Sequence, residues 1–367
     1  MISSGSTGIG KVKVINRRMF ILSAAKILVF SGIVARLFFL QINENKKYLT
    51  LSDKNRLREW RLPPVRGDFL DYFGKVVAGN TEVYQLHVIP EEVSNFKTLI
   101  VRLKEILGLS NNEYLKIIRK KNKSKIVCLT AYSKNIASIL DNHCDIILVG
   151  DSLGSVLYNY NTTRNVTLNT MIEHSKSVKL GVLKSLMVVD MPHNTYRNPK
   201  EALKNAKLIM KKTKCDGVKL EGGNKIIKIV QHLIKNRIPV MGHLGLLPQS
   251  EKGKFRSKGK KLRERNRILS EAKILETAGV FSIVLECVEK SLAKEITSLV
   301  KIPTIGIGSS INCDGQVLVT DDLLGLNPIN LRFLKKYSNL RNVINNAVLN
   351  FKKEVKKNKF PTNKYSY

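Results

Sequence analysis

Cys215–Gly223 reads CDGVKLEGG, and Asp216–Glu221 within it has the pattern of a short buried strand carrying charged side chains at its end. Side chains two apart on a strand share a face. Lys219 and Glu221 therefore point the same way, and Gly222 and Gly223 are expected to let backbone and ligand approach closely. Three other apolar runs also end in an acid: Ile146–Asp151 (IILVGD), Leu186–Asp190 (LMVVD) and Phe281–Glu286 (FSIVLE). Carboxylates at the ends of several parallel strands are how an α/β barrel assembles a metal and acid/base site.

Outward from that stretch, β-branched runs alternate with helical spacing over Ile126–Ala131, Asp145–Gly150, Leu186–Met191, Asp216–Leu220, Ile238–Gly242, Phe281–Leu285 and Ile302–Ile307. Strands alternating with helices mean βα units and a parallel sheet. The expectation is an α/β fold, a (β/α)8 TIM-type barrel over residues 116–367, with its eighth strand not placed. The tail from Asn330 to Lys357 has helix-like apolar spacing (Leu331, Leu334, Tyr337, Leu340, Ile344, Val348) and is expected to pack outside the barrel or against a subunit.

The first third of the chain is different. Residues 1–18 form a basic tail in which Gly5–Lys11 nearly spells a phosphate-binding loop, but Val12 stands where the metal-binding Ser/Thr belongs. Residues 19–41 are apolar enough to be read as an uncleaved transmembrane helix. Its Leu, Ile, Phe and Val side chains outweigh Lys26, and Arg36 can snorkel. Lys11, Lys13, Arg17 and Arg18 then favour a cytoplasmic N-terminus. Residues 42–115 form a small mixed extension and a polar junction. The alternative is an amphipathic helix buried in a soluble protein.

The 367 residues carry 63 basic and 29 acidic side chains, a formal charge of +34. The lysines are dispersed and no stacking aromatics interleave with them, so no nucleic-acid partner is expected. Cys128, Cys144, Cys215, Cys287 and Cys313 are isolated, several in apolar runs, which fits reduced, buried thiols rather than disulfides or a zinc site.

Asp151, Asp190 and Glu221 are hard oxygen donors of the kind magnesium prefers, with no His/Cys cluster to favour a softer metal. A 2-oxo acid could chelate such an ion, which would spread the charge of a deprotonated carbon. Lys219 could add positive charge beside the substrate, and His243 could hydrogen-bond a developing alkoxide. Glu286 is left as the candidate general base. Helix caps for Asp151 and Asp190, a Lys219–Glu221 ion pair, a Glu286–Lys290 pair and a core role for His243 are the simpler alternatives.

Two resemblances complete the reading. Asn55-Arg56, then Leu62-Pro63-Pro64-Val65-Arg66-Gly67-Asp68-Phe69-Leu70-Asp71 and Phe73-Gly74, follow an apolar helix as in the juxtamembrane start of elongation-class penicillin-binding proteins. This covers about residues 15–110 and lacks any transpeptidase domain. From about Lys125 onward, Thr130-Ala131-Tyr132, Gly150-Asp151-Ser152-Leu153-Gly154, Asp190-Met191-Pro192, Lys219-Leu220-Glu221-Gly222-Gly223, Gly242-His243-Leu244-Gly245, Pro248-Gln249-Ser250, Leu285-Glu286-Cys287 and Asp314-Gly315-Gln316 resemble the ketopantoate hydroxymethyltransferase family in order and spacing.

The second resemblance implies magnesium on Asp151, Asp190 and Glu221, and 3-methyl-2-oxobutanoate held by Asp151, Ser152, Asp190, Lys219 and His243. It also implies Glu286 as proton acceptor, 5,10-methylenetetrahydrofolate as one-carbon donor, 2-dehydropantoate as product and a cytoplasmic homo-oligomer, commonly a decamer. Ser309 and Ser310 depart from the family's alanine and glycine and could crowd the site mouth. The loop Gly253–Lys260 loses a Gly and a Gln; it is either a solvated lid or a basic platform for the donor's glutamate tail through Lys254, Arg256 and Lys258. A single span with a cytoplasmic N-terminus would put the barrel on the wrong side of the membrane for reduced folate, so a fusion of an unrelated fragment to a complete enzyme explains the chain best. The alternatives are another magnesium-dependent carbon–carbon lyase of the phosphoenolpyruvate/pyruvate type, and a membrane-anchored cell-wall scaffold with an inactive barrel.

Overall fold

The computed structural model describes residues 17–42, 44–45, 67–79, 86, 88, 93, 96–122, 125–250 and 256–367. The Gly5–Lys11 loop, Lys11 and Lys13, Asn55-Arg56, Leu62–Arg66 and Lys254 lie outside the described residues. The chain divides into two compact units, Met1–Leu86 and His87–Tyr367.

In the first unit, helix α1 spans Arg17–Ile42. Its segment Phe20–Ile42, of 23 residues, is long and apolar enough to cross a membrane, and side chains such as Phe30 and Phe38 are exposed. Strands β1 (Phe69–Leu70) and β2 (Val76–Ala78) form an antiparallel hairpin. Asp71 makes the turn: its Oδ1 accepts the N–H groups of Phe73 at 2.9 Å and Lys75 at 2.8 Å, and Gly74 adopts φ +80°. The Asp-x-x-Gly of that motif is thus turn chemistry.

In the second unit, β3 (Ile126–Thr130), β4 (Ile146–Val149), β5 (Leu186–Asp190), β6 (Gly217–Glu221), β7 (Val240–Gly245), β8 (Ser282–Glu286), β9 (Thr304–Ile307) and β10 (Gly315–Leu318) close into a parallel barrel. The eighth strand, unplaced in the sequence, is β10, pairing with β9 and β3. It is four residues long and opens on Asp314-Gly315, which reads as a turn. The glycine is needed because a Cβ there would meet the Ile126 carbonyl oxygen at 2.6 Å.

The pleat sorts each strand's side chains into two cores. Ile147, Val149, Met187, Val189, Val218, Leu220, Leu244 and Leu285 face the surrounding helices. Ile126, Cys128, Ile146, Leu148, Leu186, Val188, Met241 and Ile305 fill the barrel interior. The floor of that interior is supplied by helices α2 (Phe96–Leu107) and α3 (Asn111–Asn122), whose Ile100, Tyr114 and Leu115 join the inner core. Lys104 Nζ pairs with Asp216 Oδ1 at 2.8 Å, Asn111 Nδ2 donates to the Asp216 carbonyl at 2.7 Å, and Tyr114 OH donates to the Lys184 carbonyl at 3.2 Å. The boundary drawn at residues 115 and 116 therefore falls inside α3.

The tail corrects the sequence expectation. Helix occupies only Leu340–Lys356, starting where the Asn339 side chain accepts the N–H of Asn342. Leu331 and Leu334 lie outside it, in an irregular strap whose apolar side chains line the barrel mouth instead. All five cysteines are buried, and none is in a disulfide.

Candidate active site

A cavity of about 180 Å³ opens at the carboxyl ends of the strands, lined by Asp151, Ser152, Asp190, Lys219, Glu221, His243 and Glu286 among others. All seven expected site residues thus reach one place. Register explains how: Asp190 pairs with Lys219 across β5 and β6, and Glu221 with His243 across β6 and β7. Side chains on the inward face of neighbouring strands stack in layers, so these form the uppermost interior layer.

The contacts revise several roles considered from sequence. Lys219 Nζ lies 2.8 Å from Asp190 Oδ1, so its partner is the neighbouring strand's aspartate rather than Glu221. Neither Asp151 nor Asp190 is a helix cap: Asp190 Oδ2 accepts the backbone N–H of Asp151 at 3.1 Å. Glu286 Oε2 stands 3.2 Å from His243 Nε2, not against Lys290. His243 Nδ1 faces Lys219 Nζ at 3.4 Å and Glu221 Oε1 at 3.6 Å. Ser152 exchanges a hydrogen bond with Tyr132 OH at 2.9 Å. Gly222, at φ +129°, and Gly223 make room for protein rather than ligand, since added Cβ atoms would meet Ile226 and, at 2.3 Å, the Glu271 carboxyl.

Gln249 has no role that sequence reasoning assigns. It is 2% exposed; its Nε2 donates to Asp151 Oδ2 at 2.8 Å and to the Met191 carbonyl at 3.0 Å, and its backbone N–H donates to Glu221 Oε2 at 3.0 Å. Tyr196 OH donates to its Oε1 at 2.5 Å, and Arg164 Nε to its carbonyl at 2.7 Å. The only sequence signal was its place after a proline at the end of β7.

Carboxyl groups outnumber cations in the site, and their protonation responds to the crowding. Burial, then the nearby Asp190, pushes Asp151 up to about 7. Burial and Asp151 hold Glu221 well above the usual carboxylate range. For Lys219 burial works downward, but Asp190, Glu221 and Asp151 outweigh it and raise its pKa. Burial and the Lys219 charge lower the pKa of His243, keeping the imidazole neutral.

Among the described residues no trio of His, Cys, Asp and Glu stands ready-gathered for an ion; Lys219 and Gln249 occupy the oxygens. In donor type and charge the set suits magnesium: buried carboxyl groups outnumber the one lysine, and a hard divalent cation would relieve their repulsion.

The two departures from the family pattern are accommodated. Ser309 Oγ donates to the Val288 carbonyl at 3.2 Å, and buried Ser310 accepts the Asn312 N–H at 3.2 Å, so both hydroxyls turn to backbone. In the Gly253–Lys260 loop the end is pinned, for Lys258 N–H donates to the Cys287 carbonyl and Glu289 N–H to the Lys258 carbonyl, both at 2.8 Å.

A closed parallel barrel with acids, one lysine and a neutral histidine gathered at its carboxyl end has the makings of an acid/base barrel enzyme for a small molecule. The family model for ketopantoate hydroxymethyltransferase matches residues 112–363. A 3-methyl-2-oxobutanoate hydroxymethyltransferase of Pelagibacter ubique is 68% identical over 257 residues, covering 70% of this chain and 100% of that one. The one of Rhizobium etli is 46% identical over 256 residues, covering 69% and 94%. The crystal structure of a phosphonopyruvate hydrolase complex with oxalate and Mg++ aligns at a TM-score of 0.46 with 10% identity, over 69% of this chain and 89% of that one. The chain belongs to the ketopantoate hydroxymethyltransferase family. The penicillin-binding-protein resemblance of residues 15–110 lies outside these matches.

Proposed function

We propose that the barrel transfers a hydroxymethyl group from 5,10-methylenetetrahydrofolate to 3-methyl-2-oxobutanoate, giving 2-dehydropantoate on the route to pantothenate and coenzyme A. The carrying observation is the convergence of Asp151, Asp190, Lys219, Glu221, His243 and Glu286 on one cavity of about 180 Å³. That volume lies below the range of about 300–1,000 Å³ of sites for drug-sized ligands, and suits a small oxo acid.

Asp151, Asp190 and Glu221 would hold magnesium, which when bound acts as a Lewis acid toward a 2-oxo acid. Lys219 and Ser152 bind and orient the acid from the same layer. Glu286, the least enclosed of the carboxylates, accepts the proton from C3 of the oxo acid. The neutral imidazole of His243 keeps that carboxylate aimed without quenching its charge. C3 bonds to the donor's methylene carbon and water supplies the hydroxyl oxygen as that carbon's bonds to N5 and N10 break, the proton taken by Glu286 and the one lost by the water returning to the two nitrogens of the departing tetrahydrofolate.

The donor is a cytoplasmic metabolite, so this reading places the barrel in the cytoplasm; anchoring through Arg17–Ile42 is the alternative. Helix Leu340–Lys356 buries no residue in the single chain, which supports a homo-oligomer. Product analysis of the full-length protein with and without methylenetetrahydrofolate is the test. Dehydropantoate formed only with the donor sustains the reading, whereas donor-independent cleavage of a 2-oxo acid or its adducts would replace it with a lyase.

A further inference from the structure

Beside the acid pocket lies a second, wider basin of about 1140 Å³. Its walls include Lys125, Arg256, Lys260, Lys290 and Arg332, and the only acid among its described lining residues is Glu289. That acid is turned elsewhere: Glu289 Oε2 accepts the N–H groups of Ser291 at 2.9 Å and Leu292 at 3.1 Å and lies 3.5 Å from Arg265 Nη1. The basin is therefore cationic. Lys125 Nζ is held in place by the Cys313 carbonyl at 2.7 Å. The two cavities adjoin. Glu286 and Ile307 line the first while Cys287 and Gly308, the next residues on the same strand ends, line the second, and Leu331 and Phe333 of the strap line both.

The proposed reaction needs two reactants of very different size, and the acid pocket has room for the smaller. The donor's bulk must lie outside while its methylene carbon reaches the oxo acid. Its glutamyl end carries carboxylates, more of them when the tail is extended by further γ-linked glutamates. We infer that the basin binds this polycarboxylate tail through Arg256, Lys260, Lys290 and Arg332, so that the enzyme prefers polyglutamylated over monoglutamylated donor. The inference rests on the proposed reaction for the identity of the donor. It shifts the sequence expectation from Lys254 and Lys258 to cations from three separate segments.

Equilibrium binding of tetrahydropteroyl-monoglutamate and -pentaglutamate to the full-length protein tests it without turnover, alongside KM for the two methylene donors. The pentaglutamate is expected to bind about tenfold more tightly, equivalent to about 1.4 kcal/mol. The double substitution Lys290→Ala, Arg332→Ala should bring that ratio close to one, and added salt should do the same. Equal binding of the two forms by the unaltered protein, or a preference that survives the substitutions, overturns the basin assignment. Failure of the reaction itself would show separately, as absence of dehydropantoate with either donor.

Discussion

Gln249 Nε2 stands 2.8 Å from Asp151 Oδ2, and the same residue's backbone N–H reaches Glu221 at 3.0 Å. One buried glutamine thus fixes two acids that come from different strands. Partners of this kind orient metal-binding carboxylates, and their loss costs about 10–100-fold in affinity. Gln249→Leu should weaken Mn2+ binding, followed by electron paramagnetic resonance, by about that factor. The backbone N–H to Glu221 survives this change, so unchanged affinity in a folded variant would show that Asp151 holds its position without the side-chain amide.

Glu286→Gln removes the proposed proton acceptor while keeping shape. Loss of a positioned base lowers the rate by about 10²–10⁴. Deuterium exchange at C3 of 3-methyl-2-oxobutanoate, followed by NMR in the absence of donor, isolates this step and should slow to the same degree. Exchange at the unaltered rate would move the role to another group. His243→Ala should produce a smaller loss, because it releases the carboxylate without removing it.

Far from the site, Asp141 ties the barrel's lower end together. It is 4% exposed and accepts the N–H groups of Leu183, Lys184 and Ser185 at 3.1, 3.0 and 2.8 Å. Burial pushes its pKa up, but these donors outweigh burial and hold it below the ordinary carboxyl value. A depressed folded-state pKa stabilises the fold above the unfolded value of about 3.9 and loses that effect as pH falls through the folded value. Asp141→Asn should cost about 1–3 kcal/mol at neutral pH. The gap in melting temperature between the two proteins should close as pH drops below about 4; a gap independent of pH would mean that the charge is irrelevant.

Helices α2 and α3 set where a stable fragment can begin. Ile100, Tyr114 and Leu115 are each 2% exposed or less, in the core that fills the barrel. Burying a large apolar side chain is worth about 1.5–3 kcal/mol, against a total stability of about 5–15 kcal/mol. A fragment 87–367 should melt near the full chain's barrel transition, and 116–367 should melt at least about 10 °C lower or precipitate. Equal melting temperatures would make the floor helices dispensable.

The acids at strand ends were legible because a strand's period of two and a parallel barrel's shared carboxyl end leave few other places for them. The strand β10 was not, because its Asp-Gly opening carries turn chemistry and its short run shows no apolar period. Gln249 escaped because hydrogen bonding across strands leaves no periodic trace. The Leu331–Tyr337 strap mimicked a helix because apolar residues that line a cavity mouth can fall at helical spacing by chance of geometry. The role of α2 was hidden for a related reason: its apolar face is an ordinary amphipathic pattern, and nothing local says which core receives it.

Helix Leu340–Lys356 presents Val343, Val348, Leu349, Phe351 and Val355, each more than 40% exposed, with Ile344. Scattered apolar residues on a surface need no explanation, but a helix with no buried residue and an apolar stripe along Ile344, Val348, Phe351 and Val355 is expected to be covered by a partner. In a family member whose barrel is complete within one chain, the simplest cover is a second copy, since isologous contacts let one apolar patch bury itself. Val348→Glu places a charge in the centre of that stripe, and desolvating it costs more than the contact returns. Sedimentation velocity of the full-length protein should then show a smaller species than the unaltered protein at equal concentration, with the barrel's melting transition retained. If the assembly persists, the subunit contact lies on another face and this helix is free to cover something else.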